Sequence, residues 1–139
     1  MSVWWPANFT PDTNSLPVVR FSVLTSVIDS DNFFYDDFHW SVFNRAGDRL
    51  IALDFDNNDL NVYYLLNDNS GYHATGVAFT NEIIYNLEII MDFARNRWSA
   101  TLDDTPLVAE LPISSTPAQA LKVNGSANDT SAWLRPAGA

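Results

Sequence analysis

Leu53-Asp54-Phe55-Asp56-Asn57-Asn58-Asp59 is the stretch of this chain whose residue types and spacing bear most directly on chemistry. Read as a strand, it sets Asp54 and Asp56 on one face with Cα atoms about 7 Å apart, while Leu53 and Phe55 fill the other. Two carboxyls cleave glycosidic bonds at about 5–5.5 Å in retaining enzymes and about 6.5–9.5 Å in inverting ones, so the pair can reach catalytic geometry. The same cluster offers hard oxygen ligands of the kind Ca2+ takes. Asp54, Asp56 and Asn58 match the first three ligand slots of an EF-hand loop. Gly is missing at the sixth position, however, and Leu65 stands where the bidentate Glu belongs, which excludes an EF-hand. A looser calcium site on Asp56, Asn58 and Asp59 stays open beside a plainer reading, in which these residues are a hairpin turn chosen for backbone tolerance.

Other side chains widen the candidate site. His39 and Trp40 on one strand and Tyr64 on another join Asp54 and Asp56 as candidate ligand-binding residues, because aromatic faces suit the flat apolar face of a sugar ring. Tyr63, Tyr72 and Trp98 have the same capacity, although large aromatics in a sandwich are more often core. His39 and His73 fall in separate strands, where a lone His packs or hydrogen-bonds more often than it ligates. No Ser–His–Asp order with a nucleophile elbow and no Gly-rich phosphate loop is present. Adjacent Trp4 and Trp5, if in a strand, face opposite ways, so one is exposed or meets a partner. Asn8, Asn124 and Asn128 open glycosylation sequons that matter only in a secreting eukaryote.

The elements that hold these residues are strands. Val19, Phe21 and Val23 alternate with polar neighbours over about 17–26. Phe38, Trp40 and Val42 alternate with His39 and Ser41, and Asn44 to Asp48 then turns the chain into Leu50 to Phe55. Asn57-Asn58-Asp59 turns again, and Leu60 to Leu66 and Tyr72 to Phe79 follow, separated by Asn67 to Gly71. Tyr85, Leu87, Ile89, Met91 and Phe93 alternate in turn, Ala94 to Arg97 is a polar break, and Trp98, Ala100 and Leu102 alternate next. Asp103-Asp104-Thr105-Pro106 then leads into Leu107, Ala109 and Leu111. About eight strands at this spacing predict an all-β, two-sheet antiparallel sandwich. The apolar runs at 50–53 and 62–66 suit central strands, and only Thr116 to Lys122 looks helical.

Composition bounds what such a sandwich can do. One domain accommodates all 139 residues, with its core at about 17–124, an irregular segment at 1–16 and a tail at 125–139. Zero cysteines exclude a disulfide framework, a thiol nucleophile and a thiolate metal site. A net charge of −10 repels phosphate backbones and anionic lipid, so nucleic acid and membrane insertion are disfavoured. Glycans and divalent cations remain as partners. All but three of the seventeen acids are Asp and Lys122 is the single lysine, usage that fits a loop-rich β domain. The opening MSVWWPANFTP lacks the basic and apolar regions of a signal peptide.

Residues 85–108, with Asp92, Asn96, Trp98, Leu102 and Asp103-Asp104 at the key positions, resemble the strand–turn–strand of concanavalin A-like and laminin G-like jelly rolls. The hairpin at 38–55 is similar to the paired central strands of that superfamily, and the likeness covers about 17–111. It implies a jelly-roll sandwich, a glycan-binding role, calcium at a sandwich rim that would include Asp59 or Asp68, and an extracellular or cell-surface setting. Glucanases of the superfamily carry Glu-x-Asp-x-Glu, which here reads Asp54-x-Asp56-x-Asn58. Asn58 would stand for the general acid, and an amide has no proton of the required acidity. A non-catalytic lectin is therefore expected, with a structural or protein-interaction domain as the alternative and a degenerate glycoside hydrolase third. The tail 124–139 reads as a poor closing strand, so a fragment, or an open edge for a second chain or itself, is expected there.

Overall fold

The computed structural model describes residues 5–7, 18–29, 33–43, 47–113 and 132–138, the first and last of these as backbone alone. Among them run β1 (Trp5–Ala7), β2 (Val18–Thr25), β3 (Asp37–Phe43), β4 (Arg49–Asp56), β5 (Asn61–Leu66), β6 (Tyr72–Ala78), β7 (Tyr85–Asp92), β8 (Arg97–Leu102), β9 (Thr105–Pro112) and β10 (Ala132–Gly138). They pair antiparallel into a six-stranded sheet, β1-β10-β3-β4-β5-β6, and a four-stranded sheet, β2-β7-β8-β9. The all-β sandwich expected from the sequence is thus the observed architecture, and no described residue is helical. The helical turn expected at 116–122 and the sequons at Asn8, Asn124 and Asn128 lie outside the described residues.

Period-2 patterning explains the core. Along β7, Leu87, Ile89 and Met91 are buried while Asn86 and Glu88 face outward, and along β8 Trp98, Ala100 and Leu102 are buried. Opposite them, β4 and β5 contribute Ile51, Leu53, Phe55 and Val62, each 0–1 % exposed. Side chains of this kind contribute about 1.5–3 kcal/mol each when fully buried. Strands β4 and β5 lie inside the larger sheet with a neighbour on either side, as their apolar runs imply.

Two segments depart from the sequence reading. Ala132–Gly138 forms β10, pairing with β3 from Trp133↔Phe43 to Gly138↔Phe38 and with β1 through Ala132, Trp133 and Leu134. The tail expected to leave the sheet open therefore closes it against the N-terminal strand, and Trp5–Ala7, expected to be irregular, is that strand. Pro136, which cannot donate to a ladder, falls inside this strand opposite Trp40. In β9, Leu107 and Val108 are both buried while Ala109 is exposed, against the expected Leu107–Ala109–Leu111 alternation. Register shifts between Trp98/Ala100 and Ala100/Thr101, with Glu110 at φ 52°, mark bulges that re-aim the strand.

Asp103 and Asp104 form the two-residue β8–β9 turn at φ 46° and 64°, the type I′ geometry that matches strand twist. The Asn86 N–H donates to Asp103 Oδ1 at 2.7 Å, so Asp103 also ties the turn to β7. Asp104→Gly is expected to melt at or above the parent temperature. Asp104→Val should lose about 1–2 kcal/mol, because a β-branched residue fits the left-handed region poorly. Indistinguishable melts of the two variants would contradict the turn.

Candidate functional site

The β4–β5 hairpin turns through Asn57, Asn58, Asp59 and Leu60. Asp56 Oδ1 accepts from the Asn58 N–H at 2.7 Å, Asp59 Oδ1 from the Asn61 N–H at 2.9 Å, and the Leu60 N–H bonds to Asp56 O at 2.9 Å. Asp59 Oδ2 accepts from the Tyr63 hydroxyl, which pulls the Asp59 carboxyl below its usual range and pushes the Tyr63 phenol up. Of the residues expected as calcium ligands, Asp56 and Asp59 thus brace the turn with their carboxylates, and Asn58 contributes its backbone N–H. Among the described residues no group of three or more His, Cys, Asp or Glu is arranged to hold a metal ion.

This four-residue turn sets the register that builds the site. Asp54 lies opposite Tyr63 on β5 and opposite His39 on β3, and Asp56 opposite Asp37. Their side chains share the outer face of the six-stranded sheet, where Asp37, Asp54, Asp56, Tyr63 and Tyr72 line an open depression of about 260 Å³. The rings of Tyr63 and Tyr72 stand perpendicular with centroids 6.4 Å apart. Tyr72, 56 % exposed, also meets the His39 ring edge-on at 6.3 Å.

Asp54 is 4 % exposed and its Oδ1 sits 2.8 Å from His39 Nε2. No other partner reaches either atom among the described residues. Contact with the Asp54 carboxylate raises the His39 imidazole above its ordinary value, against the opposing effect of burial. Burial raises the Asp37 carboxyl, and the neighbouring Asp54 and Asp56 charges raise it further. Tyr72 is raised by burial and then by the Asp54 and Asp37 charges.

Of the residues expected to bind ligand, Asp54, Asp56 and His39 meet on this face, whereas Trp40 and Tyr64 point the other way. Trp40 packs on Phe21 at 5.5 Å, and Tyr64 stacks on His73 at 5.0 Å and meets Trp98 edge-on at 6.3 Å. Both belong to the row of Leu53, which is 0 % exposed. A turn read as Asn57 to Asp59 alone puts Tyr64 beside Asp54; the fourth residue, Leu60, flips the whole strand and brings Tyr63 there instead. Tyr63 and Tyr72, named from the sequence for their rings but not placed with Asp54, line the depression here, and Asp37 is the lining residue that reading missed.

A second polar group lies at the β5–β6 hairpin. The Ser70 hydroxyl donates to Asp68 Oδ1 and stands 2.6 Å from His73 Nε2. Serine occupies the middle of this trio, so its proton is held by Asp68 rather than offered to the imidazole, unlike a nucleophile–base–acid chain. Its role is to close the hairpin.

Sheet order and layer packing define a two-sheet antiparallel jelly-roll sandwich. Sheep galectin-11, solved in complex with glycerol, superposes with a TM-score of 0.57 at 10 % identity, covering 98 % of this chain and 89 % of that one. At that identity the likeness is one of fold. No protein-family model and no curated protein sequence matches the chain.

The His39–Asp54 contact has a measurable sign. A folded-state imidazole pKa above the unfolded value of about 6.5 contributes stability that is full below that value and fades as pH rises through the folded pKa. NMR titration of His39 should give a midpoint above about 6.5, and Asp54→Asn should bring it down towards that value. An unchanged midpoint in Asp54→Asn would remove Asp54 as the cause.

Proposed function

We propose that this chain is a non-catalytic carbohydrate-binding module that takes its ligand on the outer face of the six-stranded sheet. The depression carries the reading, because carboxylates that accept hydroxyl hydrogen bonds stand there beside two tyrosine rings suited to the apolar face of a sugar. Its shallow, open form fits a sugar laid on a surface, and the bound glycerol of the galectin neighbour is a small polyol. Asn58 supports a binding role over hydrolysis. It sits in the turn, off the strand, with its N–H bonded to Asp56, and supplies no acid to a glycosidic oxygen.

A glycan array followed by calorimetry tests the reading. At least one neutral or basic glycan should bind, and Tyr72→Ala and Asp54→Asn should each weaken it by about tenfold, the worth of one stacking or charge-assisted contact. Binding is expected to survive EDTA, since the depression supplies its contacts without a metal. An array on which nothing binds would sink the proposal. One observation favours a protein-contact role in that event. Ile28, Phe33, Tyr35, Ile83 and Ile84 are exposed, on two loops tied by the Glu82 N–H to Val27 O bond at 2.8 Å.

A further inference from the structure

Asp37, Asp54, Asp56, Tyr63 and Tyr72 line the depression, and His39 stands outside that lining in contact with two of its members. Its Nε2 lies 2.8 Å from Asp54 Oδ1 on β4, and its ring meets that of Tyr72 on β6 edge-on at 6.3 Å. One imidazole thus joins lining residues from two strands that β5 separates. The His39 and Asp54 side chains are 26 % and 5 % exposed, so water screens their contact less than it screens a surface pair. Tyr72, 56 % exposed on an edge strand, is held by its ring contacts with His39 and Tyr63 more than by core packing. An imidazolium attracts the Asp54 carboxylate as an ion pair, and it attracts the Tyr72 ring as a cation draws an aromatic face within about 6 Å. Both attractions weaken when the proton leaves.

We propose that His39 is a positioning residue and the proton switch of this depression: protonated, it holds Asp54 and Tyr72 in the arrangement that binds, so affinity falls as pH rises through its midpoint. This rests on the carbohydrate reading above and deepens it. The charged and titratable groups around the imidazole come from every neighbouring strand. Asp37 shares β3, β4 brings Arg49, Asp54 and Asp56, β5 brings Tyr63, β6 brings Tyr72, and β10 sets Arg135 opposite Ser41. Among these side-chain types, imidazole is the one that ordinarily changes charge between about pH 5 and 8. An arginine keeps its charge throughout, so it offsets the midpoint without adding a step. Contact with Asp54 raises the imidazole above its ordinary value, and the free protein therefore favours the binding arrangement on the acid side of neutrality. By reciprocity, a bound sugar raises the His39 midpoint further.

Isothermal titration calorimetry of the full chain from about pH 5 to about pH 9 tests the switch. The probe is the neutral glycan that ranks first on the array, which has no proton of its own to exchange. Affinity should fall by up to about tenfold per pH unit above the His39 midpoint read by NMR, the limit for one proton taken up on binding. Asp54→Asn, which lowers that midpoint, should carry the fall to lower pH by the same amount. His39→Gln should bind weakly with a flat profile. His73→Gln, whose ring stacks on Tyr64 on the opposite face, and Asp37→Asn should both keep the step. A flat wild-type profile, or a step that survives in His39→Gln, would overturn the switch and leave the carbohydrate reading standing. So would a step in Asp54→Asn that parts from its NMR midpoint. Absence of glycan binding at every pH would overturn the switch together with the reading beneath it.

Discussion

The pairing of β3, β4 and β5 in a single register is the constraint on which both faces of the larger sheet depend. It sets Trp40, Leu53 and Tyr64 in one row and His39, Asp54 and Tyr63 in the next. Because successive side chains point to opposite faces, the first row becomes core and the second becomes the candidate site. A slip of one residue would send Asp54 inward against Trp98 and Met91 and expose Leu53. Asp54, already 4 % exposed, would there lose His39 and stand unpaired among apolar side chains at a cost of several kcal/mol, so this acid helps to hold the register.

That arrangement has consequences for rigidity. Apart from Tyr72 on the edge strand β6, the outer-face residues stand on inner strands of a six-stranded sheet whose reverse side is the packed core, so their Cα positions are fixed by the fold rather than by loops. A site built this way is pre-organised. The cost is a concentration of like charge: Asp37, Asp54 and Asp56 repel one another, and the His39 contact offsets the repulsion in part. The burial of Leu87, Ile89, Met91 and Trp98 against Leu53 and Phe55 is what allows the outer face to be electrostatically unfavourable on its own.

Much of this was legible in the residues. The meander Tyr85–Asp92, Arg97–Leu102 and Thr105–Pro112 stood out because one face is core and the other solvent, the condition under which period 2 is clean. Asp54 and Asp56 stood out because acids inside an apolar run are anomalous. What failed was phase and pairing. His39 and Trp40 are neighbours on one strand and cannot share a face, and Tyr63 replaced Tyr64 because Leu60 adopts φ 59° and extends the turn by one residue. Nothing local announces that a leucine will take up a left-handed conformation. Strand β10 was hidden by Pro136 and Gly138, residue types that usually weaken a strand. The bulges in β9 were hidden because a register shift belongs to a pair of strands and not to either sequence alone.

The central claim is one of place, that ligand is taken on the outer face of β3 to β6. Backbone amide NMR of the labelled chain during titration with a glycan it binds tests this most directly. The account predicts that the perturbed resonances cluster on Asp37, His39, Asp54, Asp56, Tyr63 and Tyr72, while β2, β7, β8 and β9 stay unmoved. Perturbations confined to the four-stranded sheet, or to the loops carrying Phe33 and Ile84, would contradict it.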